Sequence, residues 1–165
     1  MNKRPLFGAD SNALTWLIII NAVVFVLLNF IKIIYYLTDT PIAFFDTQIL
    51  NWWVLSNNPD TFITRPYTLL IHMFTQISVF GVIANMLWLW MFGFILQDLT
   101  GNRKLIPIYL YGGIVGGIVF VASTNIFSGF AMGTPYLMGA GASVMAVAVA
   151  TTTLAPDYRL FQMIN

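Results

Sequence analysis

The chain contains no cysteine, no glutamate and a single histidine, His72, in 165 residues, and only 8% of its residues are charged. The missing cysteine excludes disulfides, thiol nucleophiles and thiolate metal ligands. One imidazole and scattered aspartates do not make a ligand set, so neither a metal nor any other cofactor is expected. The formal net charge is +1, and its few Lys and Arg are dispersed rather than gathered on a face, which sets nucleic acid aside as a partner. A soluble domain carries roughly a quarter of its residues as charges. With 59% hydrophobic residues and a mean hydropathy of +0.82, this chain is instead expected to be dissolved in lipid, with membrane lipid as its first partner.

What is present is long apolar runs. Residues 1–12 are short and polar, and the run from Ala13 to Leu37 is too long for a signal-peptide core and lacks a clear cleavage site, so it reads as a retained first span. Lys32 can snorkel to the interface beside Tyr35 and Tyr36. Residues 38–66 form a long connection whose aromatic pieces, Ile42–Phe45 and Ile49–Leu55, are too short to cross. They are expected to lie in the interface. Tyr67–Thr75 is predicted as a short lead-in helix, Gln76–Ser78 as a break, and 79–99 as the second span. A polar turn around Gly101 leads to a third span, 105–127, with Pro107 in its first turn. Gly112, Gly113, Gly116 and Gly117 make two overlapping GxxxG pairs on this span, the pattern of close helix contact. A loop over 128–135 precedes a fourth span, 138–155, stopped by Pro156. The predicted fold is therefore an all-α membrane bundle with four spans over residues 13–158 and a tail over 159–165.

Lys3 and Arg4, Arg103 and Lys104, and Arg159 fall on one side of a four-span chain, and the other side holds Arg65 with Lys32 near the boundary. By the positive-inside rule both ends face the cytoplasm.

The fourth span opens with Gly139-Ala140-Gly141-Ala142-Ser143-Val144-Met145-Ala146, small enough for a neighbouring backbone to approach closely, and so belongs in the middle of the bundle. Ser143 is its only hydroxyl before Thr151. A serine there is either a nucleophile or a structural residue bonded to a backbone carbonyl one turn back.

Taken with Arg65-Pro66-Tyr67-Thr68-Leu69-Leu70, Met73-Phe74, Asn85-Met86-Leu87-Trp88-Leu89-Trp90, Phe92-Gly93, Gly101-Asn102-Arg103 and Tyr109-Leu110-Tyr111-Gly112-Gly113, this stretch resembles the rhomboid intramembrane serine proteases. The likeness is greatest to the form common in Bacteroidetes-like bacteria, and it covers Arg65 to Tyr158 without a gap. The resemblance implies a six-helix bundle in a bacterial inner membrane, a catalytic Ser at the outer end of the fourth helix, a base His on the sixth, and Asn85 as an oxyanion donor.

The departures from the pattern fall on the chemical positions. The family His four residues before the span-two Asn is Gly81 here, and another five residues earlier is Gln76. Matching Val144, Met145 and Ala146 to the family's tail puts Gly141 in the nucleophile slot. The other register starts the motif at Gly141 and makes Ser143 the nucleophile, with branched Val144 where the family prefers Gly or Ala. The two registers differ by two residues, about 200° of rotation, so only one can face a site. A serine also needs a base within hydrogen-bond reach. His72 precedes Asn85 by about 20 Å of straight helix, and nothing in the sequence sets it beside span four, so it reads as a structural or interfacial residue. Asn85 in an apolar span must find a polar partner.

The leading expectation is a proteolytically inactive rhomboid-like protein that binds transmembrane segments of clients or serves as a subunit of a membrane complex. The alternative is an active intramembrane endopeptidase using Ser143 with a His beyond residue 165. A channel or transporter has little support, because the spans carry almost no ionisable residues.

Overall fold

The computed structural model describes residues 12–126 and 136–154. Four helices carry the bundle: α1 (Ala13–Leu37), α5 (Val79–Thr100), α6 (Asn102–Ile126) and α7 (Gly141–Leu154). Between the first two lie α2 (Ile42–Gln48), a 3-10 turn (Leu50–Trp52), β1 (Leu55–Ser56), α3 (Pro59–Thr64) and α4 (Thr68–Ile71). β2 (Tyr136–Leu137) precedes α7.

The starts of α1 and α5 and the end of α5 have local causes. Asn12 caps α1 by accepting the Leu14 N–H at 3.2 Å. Ser78 caps α5 by accepting the Gly81 N–H at 3.2 Å, satisfying one of the donors that open every helix. Gly101 ends α5 at φ +78°, a conformation glycine adopts without a Cβ clash, and its N–H reaches the Gln97 carbonyl at 2.8 Å. The chain reverses at once into α6, and Gln97 donates to Asn102 at 2.6 Å across the corner.

α1, α5 and α6, with 25, 22 and 25 residues, are long and apolar enough to cross a membrane. Their exposed surfaces carry Trp16, Val23, Val26, Phe30, Phe80, Trp88, Val115 and Val119, which suits helices surrounded by acyl chains. The protein is a multi-pass, all-α membrane protein. Two details depart from the sequence reading. α7 begins at Gly141 rather than 138 and has 14 residues, about 21 Å, because residues 136–137 are taken by β2 and Gly139 holds φ +106°. The expected ends of the third and fourth spans, 127 and 155, lie outside the described residues. Pro107 sits in the second turn of α6, not the first, because the helix already starts at Asn102.

The centre of the bundle is one core of Leu14, Leu17, Met73, Leu89, Leu96, Leu105, Tyr109, Val144 and Val147. α7 packs most extensively on α6 and next on α5. A second small core of Phe45, Leu50 and Val54 lies under the 38–66 connection, closed by Tyr35, Tyr136 and Met138. An antiparallel pairing, Leu55 with Leu137 and Ser56 with Tyr136, ties that connection to the approach of α7.

Candidate functional site

α7 and α6 meet through the glycines. A Cβ on Gly112 or Gly116 would collide with Ala146 or Ala142 of α7. One on Gly113 would lie 2.6 Å from Ser143 Oγ and 2.8 Å from the Met73 sulfur, and one on Gly117 would crowd Leu69, Leu55 and the His72 ring. The four glycines thus serve two adjacent faces of α6. Gly112 and Gly116 admit α7, while Gly113 and Gly117 make room for Met73, Leu69 and His72 of α4 and the turn after it, together with Ser143 and Leu55.

Ser143 is wholly buried, and its Oγ donates to the Met73 sulfur at 3.7 Å. A carbonyl one turn back was the expected structural partner. Four residues before Ser143 the chain is not helical, since Gly139 holds φ +106°, so the usual acceptor is not in place. Gly141, two residues earlier, is exposed at the start of α7 with no atom within 4 Å of the position its Cβ would take.

His72 is a buried residue, in keeping with the structural role, but it is not remote from α7 as the sequence distance implied. Its side chain is 0% exposed, and its backbone carbonyl accepts the Gly139 N–H at 2.8 Å, just before α7 begins. The straight-helix distance misled because α4 ends at Ile71 and the chain turns before α5. The Nδ1 atom lies 3.1 Å from the Thr68 carbonyl oxygen. A carbonyl only accepts, so Nδ1 carries the proton and Nε2 presents a lone pair. Burial holds the imidazole pKa below its ordinary value, partly offset by the carbonyls of Thr68 and Leu69. Nε2 is buried without a hydrogen-bond partner among the described residues.

The two remaining sequence-selected positions near α5 lie in a chain of side-chain amides. Asn85 Nδ2 donates to Gln76 Oε1 at 2.8 Å, and Gln76 Nε2 donates to Asn21 Oδ1 at 3.1 Å. Asn21 Nδ2 in turn reaches the Leu17 carbonyl at 2.8 Å and the Tyr109 hydroxyl at 3.1 Å, and that hydroxyl lies 3.3 Å from the Met73 carbonyl oxygen. Asn21 and Gln76 are buried, so each bond replaces water the site does not admit. Gly81 stands one turn before Asn85, its N–H held by Ser78, and a side chain there would meet Ser78 Cβ at 3.4 Å. Asn21, Tyr109 and Met73 were not singled out from sequence as site residues. Asn21 did leave a signal, as an amide inside an apolar span, the same signal that marked Asn85.

A helical membrane bundle with a glycine-lined seam, a buried serine and a polar chain at its centre defines a class, that of multi-pass intramembrane proteins with a buried polar site. Residues 64–164 match the Rhomboid domain family, and the chain belongs to that family. It is similar to presenilin-associated rhomboid-like protein A, mitochondrial, of Danio rerio, with 30% identity over 100 residues, 59% of this chain. The match covers 24% of the length of that relative.

Proposed function

We propose that this rhomboid-family chain does not cleave peptide bonds and instead holds transmembrane segments of client proteins or serves as a subunit of a membrane complex. The observation that carries this reading is the separation of the two groups a serine hydrolase joins. Ser143 Oγ is directed to the Met73 sulfur, and His72 Nε2 has no described partner, so no Ser–His hydrogen bond forms between them. Among the described residues no base reaches Ser143, and a hydroxyl with none is a weak nucleophile. The position that the family resemblance gives to the nucleophile is Gly141, which has no side chain to react. Gln76, at one of the two family His positions, uses its amide to hold Asn85 and Asn21. The same resemblance and the distribution of Lys and Arg support a bacterial inner-membrane location with the N-terminus in the cytoplasm.

Two measurements test the proposal on the full-length protein in detergent or native membranes. A fluorophosphonate probe is expected to leave Ser143 unmodified while labelling an active relative treated in parallel. Labelling that disappears with Ser143→Ala would refute the inactive reading and restore an endopeptidase using Ser143 with a His beyond residue 165. A photo-crosslinking residue at Met145 or Val149, both exposed on α7, is expected to capture an apolar protein segment. Recovery of lipid adducts alone would refute the segment-holding half. Cysteine placed at position 102 and labelled from either side tests the orientation.

A further inference from the structure

Outside the bundle core the 38–66 connection borders an open surface cavity of about 280 Å³ lined by Asp46, Thr47, Leu50, Asn51, Val54 and Tyr136. Its floor is apolar, from Leu50 and Val54, both buried in the second core. Its polar groups are not all committed. The Thr47 hydroxyl is spent on the Ala43 and Phe44 carbonyls. The Asp46 carboxylate, the Asn51 side-chain amide and the Tyr136 hydroxyl have no hydrogen-bond or ionic partner among the described residues. Each of the three offers an oxygen that accepts.

A cation is fixed beside this cavity. Arg65 lies over the Trp52 ring, 3.8 Å from guanidinium carbon to centroid, and donates to the Asn51 backbone carbonyl at 3.3 Å. Stacking and one hydrogen bond hold the plane and leave further N–H groups for an anion. Ile42, Phe44 and Trp52 are exposed on the same connection. Uncovered side chains of that kind on short helices beside spanning ones place the cavity at the level of lipid headgroups.

We infer that this cavity binds the headgroup of a zwitterionic phospholipid with a primary ammonium, as in phosphatidylethanolamine: the ammonium donates to Asp46, Asn51 and Tyr136, and the phosphate meets Arg65. A primary ammonium has three N–H donors for three acceptors. A quaternary choline has none, and a glycerol headgroup brings no positive charge to Asp46. Arg65 supplies the positive charge that the phosphate meets, and the exposed Phe44 and Trp52 give the acyl chains an apolar bank outside the cavity.

The test uses full-length protein reconstituted with dioleoyl phosphatidylethanolamine, phosphatidylcholine or phosphatidylglycerol in equal amounts, with retained lipid read by native mass spectrometry. Phosphatidylethanolamine is expected to be retained about tenfold over the other two, the ratio that one charge-assisted contact supports. Asp46→Asn, at an exposed and unpartnered position, is expected to fold normally and to remove the preference over phosphatidylcholine. Arg65→Lys is expected to keep binding and Arg65→Gln to weaken it, with melting temperature confirming that both fold. Equal retention of the three lipids, or a preference that survives Asp46→Asn, would overturn the site. Binding of free O-phosphoethanolamine without retention of the lipid would overturn the membrane source.

Discussion

The carbonyl of His72 accepts the N–H of Gly139 at 2.8 Å, so the turn that follows α4 is fastened to the residue that aims α7. Gly139 makes this bond at φ +106°, where a Cβ is strained whatever the surrounding space. Gly139→Ala should therefore destabilise the protein by about 1–3 kcal/mol, read as a shift of the midpoint in an SDS or urea titration. An unchanged midpoint would mean that α7 is aimed by something other than this bond.

Glycines of α6 and α7 should respond oppositely to the same chemistry. Gly113→Leu and Gly116→Leu insert atoms into space held by Met73, Ser143 and Ala142, forcing α6 from its neighbours. Overpacking of this kind costs about 1–3 kcal/mol or more, and the yield of monodisperse protein on size exclusion should fall. Gly141→Ser meets nothing within 4 Å and should leave yield and melting unchanged. Equal tolerance at all three positions would contradict the seam.

The amide chain predicts coupling between residues of different elements. Gln76→Leu takes the partner of the half-buried Asn85 amide and one of the donors to Asn21, which keeps its bonds to Leu17 and Tyr109. The loss is therefore expected to lie near the lower end of the about 1–3 kcal/mol of a stranded buried group. In a double-mutant cycle with Asn85→Leu the second substitution should add little to the first, leaving a coupling of about 0.6 kcal/mol, the mean for hydrogen bonds within a membrane. Strict additivity would show that the 2.8 Å bond contributes nothing.

A pH dependence follows from His72, which lies in the connection outside the three spanning helices. Its pKa is lowered in the native state by burial, so the unfolded chain binds this proton more readily. Stability is then full above the ordinary imidazole value of about 6.5 and decreases as pH falls below it. Melting temperature should decline from pH 7.5 to 5, and His72→Phe should flatten that decline. A slope of the opposite sign, or one untouched by the substitution, would contradict a neutral buried imidazole.

How far the sequence reaches depends on the range of each interaction. α1 was legible end to end, since a run from Ala13 to Leu37 has the length a bilayer demands and Asn12 caps it locally. The seam glycines were legible because GxxxG spacing is itself helical geometry. The two-sided use of that seam was not, because Gly113 and Gly117 face a segment about 40 residues away in the chain. β1 and β2 span two residues each and leave no alternation to detect. Gln76 was marked as a departure from a pattern, and only its contacts with Asn21 and Asn85 give it a role of its own. His72 was measured along a helix that the chain does not form.

The pairing of Leu55 and Ser56 with Leu137 and Tyr136 has a consequence for the order of events in synthesis. The first strand leaves the ribosome before α5 and α6 exist, and its partner follows them. Its backbone groups must wait on water or headgroups until the chain returns, a closure whose entropy is lost before its contacts form. The second core, which Tyr136 and Met138 close, is therefore completed only after α5 and α6 have been made. The surface groove beside Tyr136 takes shape only after the hairpin of α5 and α6 has already been inserted.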